Sequence, residues 1–333
     1  MVIVQTYSCA VALCFVTMLC WGSWANTQKL PPKTWRFELF YWDYVLGIVL
    51  TSLLFGLTLG STGTAGRAFA QDLGQASSGS LVSAFIGGII FNAGNIMLIA
   101  AIDIAGMAVA FPVGIGLALV LGVVVNYMGA PAGSPLLLFG GVAAVAAAII
   151  LDALAYGRIP NQAKSAGSKG LLLSVGCGIL MGFFYRFVAG SMSSNFVQLE
   201  PGKMGPYAAV FIFSLGVLAS NVAFNTFIMK KPFRGEPVSY SDYFAGTLTT
   251  HGFGLLGGFI WGVGTTLNIL ASGSASFAIA YGLGQGATMV AALWGVFIWK
   301  EFRGARPGTN VLIGLMFLFY LLGLGLIIVA RQA

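Results

Sequence analysis

Two ionisable side chains lie within long apolar stretches of this chain, where they could take up and release a proton. Asp43 lies in the segment Tyr41–Tyr44, one to two helical turns into its stretch, and His251 is the single histidine. Ionisable groups at membrane depth are costly and usually functional, so we expect both to take part in proton coupling. The alternatives are that Asp43 faces headgroups or loop lysines and that His251 is an interfacial polar residue. Arg186 is expected to extend its charged end toward an interface, the alternative being a pair with a carboxylate or a solute.

Amide and aromatic side chains in other apolar stretches form a second group of candidates, for binding a neutral solute. Amides both donate and accept hydrogen bonds, which suits hydroxyl or imide groups, and aromatic rings can stack on a planar solute. The alternatives are that the amides hold neighbouring helices together and that the aromatic residues form a belt at the headgroups. The predicted solute-binding residues are Trp21, Asn92, Asn95, Trp261, Tyr281 and Gln285.

The patterns typical of enzyme active sites are absent from the sequence. The glycine run Gly282–Gly286 lies inside an apolar stretch and follows no strand, so it does not fit a dinucleotide-binding loop. The segment Ser165–Gly170 lacks the first glycine of a phosphate loop and the Ser or Thr after its lysine. The four cysteines match no metal or disulfide spacing. We therefore expect no catalytic residue, no metal site, no cofactor and no enzymatic activity.

These candidates lie on apolar stretches that make up most of the chain. Of the 333 residues, 58% are hydrophobic and 8% are charged, whereas soluble domains carry about 25% charged residues. A helix needs about 20 apolar residues to cross a bilayer, so the chain has room for about ten crossings joined by short loops. The predicted spans are Val4–Trp24, Phe40–Leu59, Leu81–Ala100, Ile104–Met128, Leu136–Leu154, Leu171–Gly190, Pro206–Met229, Phe244–Leu270, Ser274–Trp299 and Val311–Ala330. Short turns around Asp103 and Gly273 are predicted to join spans 3 and 4 and spans 8 and 9.

The two halves of the chain repeat each other. When Gly87–Val120 is aligned with Gly257–Val290, 12 of the 34 positions are identical. Two homologous halves with an odd number of spans each must insert in opposite orientations, which is typical of alternating-access transporters. We therefore predict an all-α integral membrane protein of ten transmembrane helices in a 5+5 inverted repeat. Its halves are residues 1–155 and 171–333, joined by a short cytosolic linker at 156–170.

The repeat also aligns two segments that are expected to break a helix. Pro112 removes a backbone hydrogen bond, while Gly114, Gly282 and Gly284 weaken a helix and let another backbone approach. Interrupted segments at corresponding positions of two halves indicate the central site of a transporter. Tight packing at the glycines is an alternative that is compatible with this interpretation.

Basic residues are concentrated on alternate loops. Twelve Lys and Arg lie in the loops that follow spans 1, 5, 7 and 9, and three lie on the opposite side, namely Arg67, Lys203 and Arg331. Positive charge marks cytoplasmic loops, so both termini are predicted to be outside the cytosol. The protein itself is predicted to lie in the inner (plasma) membrane. Because topology accounts for the net charge of +7, nucleic acid is not expected as a partner.

Several short segments together form a recognisable pattern. They are Trp21–Thr27, Tyr41–Tyr44, Leu57–Gly60, Gly87–Ile89 with Gly94-Asn95, Asn126-Tyr127, and Trp294–Val296 followed by Lys300–Arg303. These segments resemble the ureide permeases. The resemblance covers most of the chain and is strongest in spans 1–4 and 9–10. The plant members carry a long central loop with a phosphate-loop-like motif, whereas the loop between spans 5 and 6 is short here and lacks it.

This family is grouped with bacterial glucose and rhamnose uptake proteins in the drug/metabolite transporter (DMT) superfamily. The resemblance therefore implies a DMT (EamA-like) fold and proton-coupled movement of a small neutral polar solute, a ureide or nucleobase or a monosaccharide.

The sequence thus favours a secondary active transporter that imports a small solute. The alternatives are a metabolite or drug exporter of the same fold and, from another class, an intramembrane enzyme or assembly factor. The expected partners are the small-molecule solute and the lipid bilayer, with the proton as coupling ion, and the sequence leaves a homodimer open.

Overall fold

The structure, a computed structural model, is built from helices. It describes residues 1–105, 110–160, 168–233 and 235–332. The helices are α1 Tyr7–Ser23, α2 Phe37–Leu57, α3 Phe69–Gln75, α4 Ser78–Ala105, α5 Gly116–Gly129, α6 Pro135–Tyr156, α7 Ser168–Ser191, α8 Pro206–Lys230, α9 Tyr240–Phe244, α10 Leu248–Ala275, α11 Phe277–Gly284, α12 Ala287–Leu293 and α13 Thr309–Ala330. The described ranges contain no β-strand, and an isolated bridge joins Met192 to Met204.

Ten helical stretches within the described residues are long and apolar enough to cross a membrane. The short helices α3 and α9 lie in loops, while α11 and α12 together with the π-helical turn Trp294–Ile298 make up the ninth span. The predicted all-α class and the ten predicted spans are confirmed. The ends follow local chemistry, since α6 and α8 both have proline in their first turn, where its missing N–H has no cost.

The chain is still helical at both positions where a short turn is predicted. Helix α4 continues past Asp103 to Ala105, and α10 continues through Gly273 to Ala275. The second turn is at Ser276, which has a φ of 86° and accepts a hydrogen bond from the N–H of Ile279 on its side chain. A glycine inside a long apolar stretch weakens a helix without ending it, whereas a side-chain N-cap fixes where the next helix begins.

The chain divides into two compact units that combine distant segments. The first consists of Met1–Asn92 and Phe187–Ser274, and the second of Ala93–Arg186 and Ala275–Ala333. The halves predicted at 1–155 and 171–333 concern a repeat in the sequence, and that 5+5 repeat remains a prediction. Residues 161–167 of the predicted linker at 156–170 lie outside the described residues.

In the first unit, helices α4 and α8 cross with their backbones in direct contact. A Cβ atom on Gly88 would overlap the carbonyl oxygen of Phe213, and one on Gly216 would overlap the carbonyl oxygen of Phe85. Lipid is as apolar as a leucine side chain, so helices in a membrane associate through close packing of small residues. This crossing therefore depends on both glycines.

The second unit contains a similar crossing and two irregular helical segments. A Cβ on Gly141 of α6 would lie 2.7 Å from the carbonyl oxygen of Gly323 on α13, and the reverse contact is also 2.7 Å. A π-helical turn at Phe111–Ile115 precedes α5, and it contains Pro112 and Gly114. The ninth span is interrupted at Gln285-Gly286, between α11 and α12. These irregular segments free backbone groups from the regular helical pattern.

Candidate functional site

The first unit brings together Asp43 and His251, which are 208 residues apart in the sequence. His251 Nδ1 lies 2.9 Å from Asp43 Oδ2 and 3.0 Å from Oδ1. Asp43 is 2% exposed, and its side chain is less exposed than that of His251. A neutral imidazole donates its Nδ1 hydrogen here, and a protonated one forms an ion pair. The two predicted proton-handling residues therefore form one group.

Two aromatic residues from loops cover this pair. The hydroxyl of Tyr243 in α9 donates a hydrogen bond to Asp43 Oδ1 at 2.6 Å. The Tyr243 and Trp35 rings meet the His251 ring edge-on, at centroid distances of 4.8 and 5.1 Å. Burial is the largest of the causes that raise the pKa of the Tyr243 phenol above its usual range, and the hydrogen bond to Asp43 comes next. Tyr243 therefore remains a donor at neutral pH. The carboxylate thus has two donors and an aromatic cover.

Local sequence explains how α9 and α10 reach Asp43. Ser239 and Asp242 form a reciprocal capping box that starts the short helix α9, the pattern that satisfies two free backbone N–H groups. On α10, a Cβ on Gly254 would overlap Asp43 Cβ, and one on Gly258 would overlap the carbonyl oxygen of Tyr44. Glycine at these two positions lets α10 lie directly against α2.

A pocket of about 530 Å³ opens beside this cover, within the first unit. Trp35, Asp242 and Thr250 are among its lining residues. The indole Nε1 of Trp35 is buried and has no hydrogen-bond acceptor among the described residues. The pocket gives water a place next to the side chain that covers His251.

Aromatic rings form a cluster next to Asp43 in the same unit. The Trp21 and Trp261 rings stack with centroids 6.1 Å apart and planes at 16°. The indole Nε1 of Trp21 donates to Thr265 Oγ1 at 3.1 Å, which fixes α1 against α10. Phe91 and Phe213 contact the Trp261 ring at centroid distances of 4.5 and 6.2 Å. Two of the predicted solute-binding aromatic residues are therefore neighbours.

Tyr44 extends this cluster and brings a polar atom into it. Its ring stacks on Trp24 with a centroid distance of 4.5 Å and meets the edge of Trp261 at 6.4 Å. The Tyr44 side chain is fully buried, and its hydroxyl has no hydrogen-bond partner among the described residues. Most buried hydroxyl groups are paired, so this unpaired one is a candidate contact for a bound solute.

Asn92 is fully engaged with neighbouring helices. Its Oδ1 accepts from the hydroxyl of Tyr41 at 2.8 Å, and its Nδ2 donates to Ser220 Oγ at 3.0 Å and to the carbonyl oxygen of Val217 at 3.4 Å. The side chain is fully buried. These contacts join α2, α4 and α8, which is the helix-bridging role that buried amides often have in membranes.

The remaining predicted solute-binding and helix-break residues belong to the second unit. The fully buried hydroxyl of Tyr281 donates to the backbone, with the carbonyl oxygens of Met181 and Ala118 at 3.0 and 3.2 Å. Asn95 is buried, and Gln285 lies half-buried at the interruption of the ninth span. The other members are Pro112, Gly114, Gly282 and Gly284. The structure thus groups Trp21, Asp43, Asn92, His251 and Trp261 in one unit and these residues in the other.

Arg186 lies against the end of a helix in the second unit. A Cβ on Gly129, the last residue of α5, would overlap the guanidinium group of Arg186. The free carbonyl groups at a helix C-terminus carry partial negative charge and favour a cation there. The contact fits a side chain that extends to a helix end.

Comparison with known proteins identifies the chain. The ureide permease family model matches residues 162–330, which is half of the chain. The chain belongs to the ureide permease family. Ureide permease 1 of Arabidopsis thaliana is 22% identical, over 98% of this chain and 98% of its own. Ureide permease 5 of the same plant is 21% identical, over 98% of this chain and 95% of its own.

A solved crystal structure shares the fold of this ureide permease family member. Its sequence is 14% identical, and it superposes with a TM-score of 0.61 over 98% of this chain and 99% of the other. Ureide permeases are membrane transporters, so the chain is a multi-pass membrane transporter rather than an enzyme. Among the described residues, no group of three His, Cys, Asp or Glu could hold a metal ion.

Three residues of this site were not predicted from the sequence of the permease. Tyr44 lies in the motif that contains Asp43, and its aromatic neighbours come from other helices. Trp35 and Tyr243 lie in loops, and their role depends on contacts with residues far along the chain. The capping box at Ser239 predicts a helix start near Tyr243, and nothing in that segment indicates that the helix packs over Asp43.

Proposed function

We propose that this chain imports a small neutral solute of the ureide type and couples the movement to protons through Asp43. The observation that carries the proposal is that two kinds of chemistry share one turn of α2. Asp43 bonds to His251 and Tyr243, while Tyr44, the next residue, lies among the rings of Trp24 and Trp261. Successive residues of a helix point about 100° apart, so this turn can respond to a proton on one side and a solute on the other.

The aromatic cluster suits a ureide. Ureides contain urea groups, which are planar and carry both N–H donors and C=O acceptors. The faces of Trp21 and Trp24, both half-buried, can stack on such a planar group, and the unpartnered Tyr44 hydroxyl can donate or accept a hydrogen bond. The two ureide permeases of Arabidopsis thaliana support this solute class over a monosaccharide.

The contacts of Asp43 suggest how a proton acts. The carboxylate holds the donors Tyr243 and His251, and hydrogen bonds to a charged group are stronger than neutral ones. A proton on Asp43 removes that charge, weakens both bonds and loosens the cover formed by α9 and Trp35. The pocket beside Trp35 then admits water to the pair. This sequence of events provides the opening step at one end of an alternating-access cycle.

We also propose that the chain lies in the inner (plasma) membrane with both termini outside the cytosol. The distribution of basic residues between the loops supports this orientation. At the end of the first unit that carries Met1, Arg67 pairs with Asp72 at 3.0 Å, and Lys203 Nζ donates to the carbonyl oxygen of Gly190. The basic side chains of Arg67 and Lys203 at this end are therefore engaged in contacts within the protein.

Uptake by purified protein in liposomes tests the function. Labelled allantoin, uracil, glucose and rhamnose are supplied outside, with and without an acidic exterior. We expect allantoin to accumulate, and to do so only with the pH gradient. Uptake of glucose or rhamnose instead would replace the ureide by a monosaccharide. Equal accumulation without the gradient would overturn proton coupling. Release of solute from preloaded liposomes, together with no uptake in this assay, would indicate an exporter.

Asp43→Asn isolates the coupling step, since asparagine has the shape of the protonated acid and cannot carry the charge. The variant should lose accumulation driven by the gradient and retain exchange of labelled for unlabelled solute, because exchange moves no net proton. Glu236→Gln is the matched control, because Glu236 is exposed and its carboxylate takes no part in the contacts described for Asp43, His251 and Tyr243. If Asp43→Asn still concentrates solute, Asp43 is an interfacial residue and His251 becomes the next candidate.

A further inference from the structure

The second unit contains a buried carboxyl group, one oxygen of which has no hydrogen-bond donor among the described residues. Asp152 lies four residues before the end of α6 and is 5% exposed. Its Oδ1 atom is buried and receives no hydrogen bond from the described residues. A buried carboxylate needs donors or a counter-ion to offset its lost hydration. Neither the proposed solute site nor the Asp43 pair in the first unit uses this residue.

A second carboxyl group, that of Glu301, is attached to the same helix through a tyrosine. The Tyr156 hydroxyl, one turn after Asp152, donates to Glu301 Oε2 at 2.7 Å. A Cβ on Gly295 would lie 2.9 Å from that hydroxyl and 3.0 Å from Oε2, so the glycine leaves room for the bond. Because Tyr156 has one hydroxyl hydrogen, its bond to Glu301 leaves nothing to donate to Asp152.

The backbone after the ninth span holds Glu301 in this position. Lys300 adopts a left-handed conformation with a φ of 54°, which non-glycine residues seldom do. This turn lets the N–H of Glu301 bond to the carbonyl oxygen of Gly295 at 2.9 Å. A strained residue of this kind persists where the surrounding structure enforces it.

The groups that face Asp152 are acids and phenols. The Glu301 carboxylate, in the loop after the ninth span, repels a negative charge on Asp152. Tyr156, which lies on α6, interacts electrostatically with both carboxylates. Tyr320 on α13 also feels the charge of Asp152, and its side chain is fully buried. Among the described residues, the titratable groups that interact electrostatically with Asp152 are therefore Glu301, Tyr156 and Tyr320, and none of the three is a cation.

We propose that Asp152, together with Glu301, forms a proton-binding site in the second unit. A proton from water near the loop that carries Glu301 binds Oδ1 of Asp152, and it leaves again through the half-buried Glu301. The bound proton removes the repulsion between the two carboxylates, and it removes the buried negative charge that no donor offsets at Oδ1 of Asp152. Loading therefore tightens the attachment of α6 to the end of the interrupted ninth span.

Labelling with dicyclohexylcarbodiimide, which enters lipid, tests this site without measuring transport. A protonated carboxyl group gives its hydrogen to a carbodiimide nitrogen while its oxygen bonds to the central carbon, and rearrangement leaves a stable N-acylurea that peptide mass spectrometry locates. Labelling of Asp152 should rise at least about tenfold from about pH 9 to about pH 6, since labelling follows the protonated fraction. The exposed Asp242 in the same sample serves as the unlabelled control.

Variants separate a proton site from a structural one. Asp152→Asn should lose the label together with the infrared C=O band of the buried acid in pH-difference spectra. Glu301→Gln removes the neighbouring negative charge, so it should move the pH at which the Asp152 label falls toward lower pH. Tyr156→Phe keeps both carboxyl groups and should keep a pH-dependent label. Absence of both the label and the band at Asp152 would overturn the proposal, and so would protection by sodium ions in place of acid, which would indicate a sodium site.

Discussion

Tyr41 and Tyr44, on one turn of α2, allow a test that separates helix packing from solute binding. The Tyr41 hydroxyl donates to Asn92 Oδ1 at 2.8 Å inside the first unit. The Tyr44 hydroxyl, equally buried, has no partner among the described residues. Phenylalanine at either position keeps the ring and removes the hydroxyl alone. The two substitutions should therefore have opposite consequences.

Stability is the first measurement. Tyr41→Phe leaves the buried Asn92 oxygen without that donor, which costs about 1–3 kcal/mol of unfolding free energy. At about 2–4 °C per kcal/mol, the melting temperature should fall by about 2–12 °C. Tyr44→Phe removes a hydroxyl that is buried without a partner, so the melting temperature should stay the same or rise. Tryptophan fluorescence of the protein in detergent follows both transitions.

Affinity is the second measurement, by equilibrium binding of labelled allantoin to the same preparations. If the Tyr44 hydroxyl bonds to the solute, Tyr44→Phe loses about 0.5–1.5 kcal/mol of binding, which weakens affinity about 2- to 13-fold. Tyr41→Phe should bind almost as well as the unmodified protein. Unchanged affinity in Tyr44→Phe would refute the solute site at Tyr44, and a stable Tyr41→Phe with weaker binding would show that the two roles are reversed.

Two further predictions concern the cover over Asp43 and the orientation of the chain. Tyr243→Phe removes a hydrogen bond to a buried carboxylate and should lower the unfolding free energy by about 1.5–3 kcal/mol. Tyr240→Phe in the same helix, whose hydroxyl pairs with the exposed Thr226, should cost less than about 1 kcal/mol. Equal costs of the two substitutions in thermal unfolding would count against the proposed role of Tyr243. An alkaline phosphatase fused after Ala333 should be active and a green fluorescent protein should be dark, because both termini are proposed to lie outside the cytosol; a fluorescent fusion would reverse the orientation.

The pairing of Asp43 with His251 illustrates how far sequence reasoning reaches. Each residue is predicted individually, because an ionisable group in an apolar stretch is costly and seldom accidental. Their contact follows from the approach of α2 to α10, where a Cβ on Gly47 would lie 2.5 Å from the carbonyl oxygen of Leu255. A glycine in a sequence does not reveal which helix packs against it. The covering role of Tyr243 is hidden for the same reason.

The amides show the same division between side-chain chemistry and partner choice. The sequence predicts that Asn92 makes hydrogen bonds and leaves open whether a solute or a helix receives them. The structure gives Asn92 three partners on neighbouring helices, while the Tyr44 hydroxyl has none among the described residues. Which polar group remains available depends on packing between segments that are far apart in the chain.

The sequence by itself determined the helical class and the ten spans, because transfer of a backbone into lipid requires apolar side chains and hydrogen bonds within each segment. It also determined which side chains can exchange protons or stack on a ring, since those properties belong to the residue. The tertiary structure alone decided that Asp43, His251 and Tyr243 meet, and that Asp152 and Glu301 lie in the other unit. Such contacts depend on which helices cross and at what depth, and the packing energies that select a crossing are summed over many residues distant in sequence.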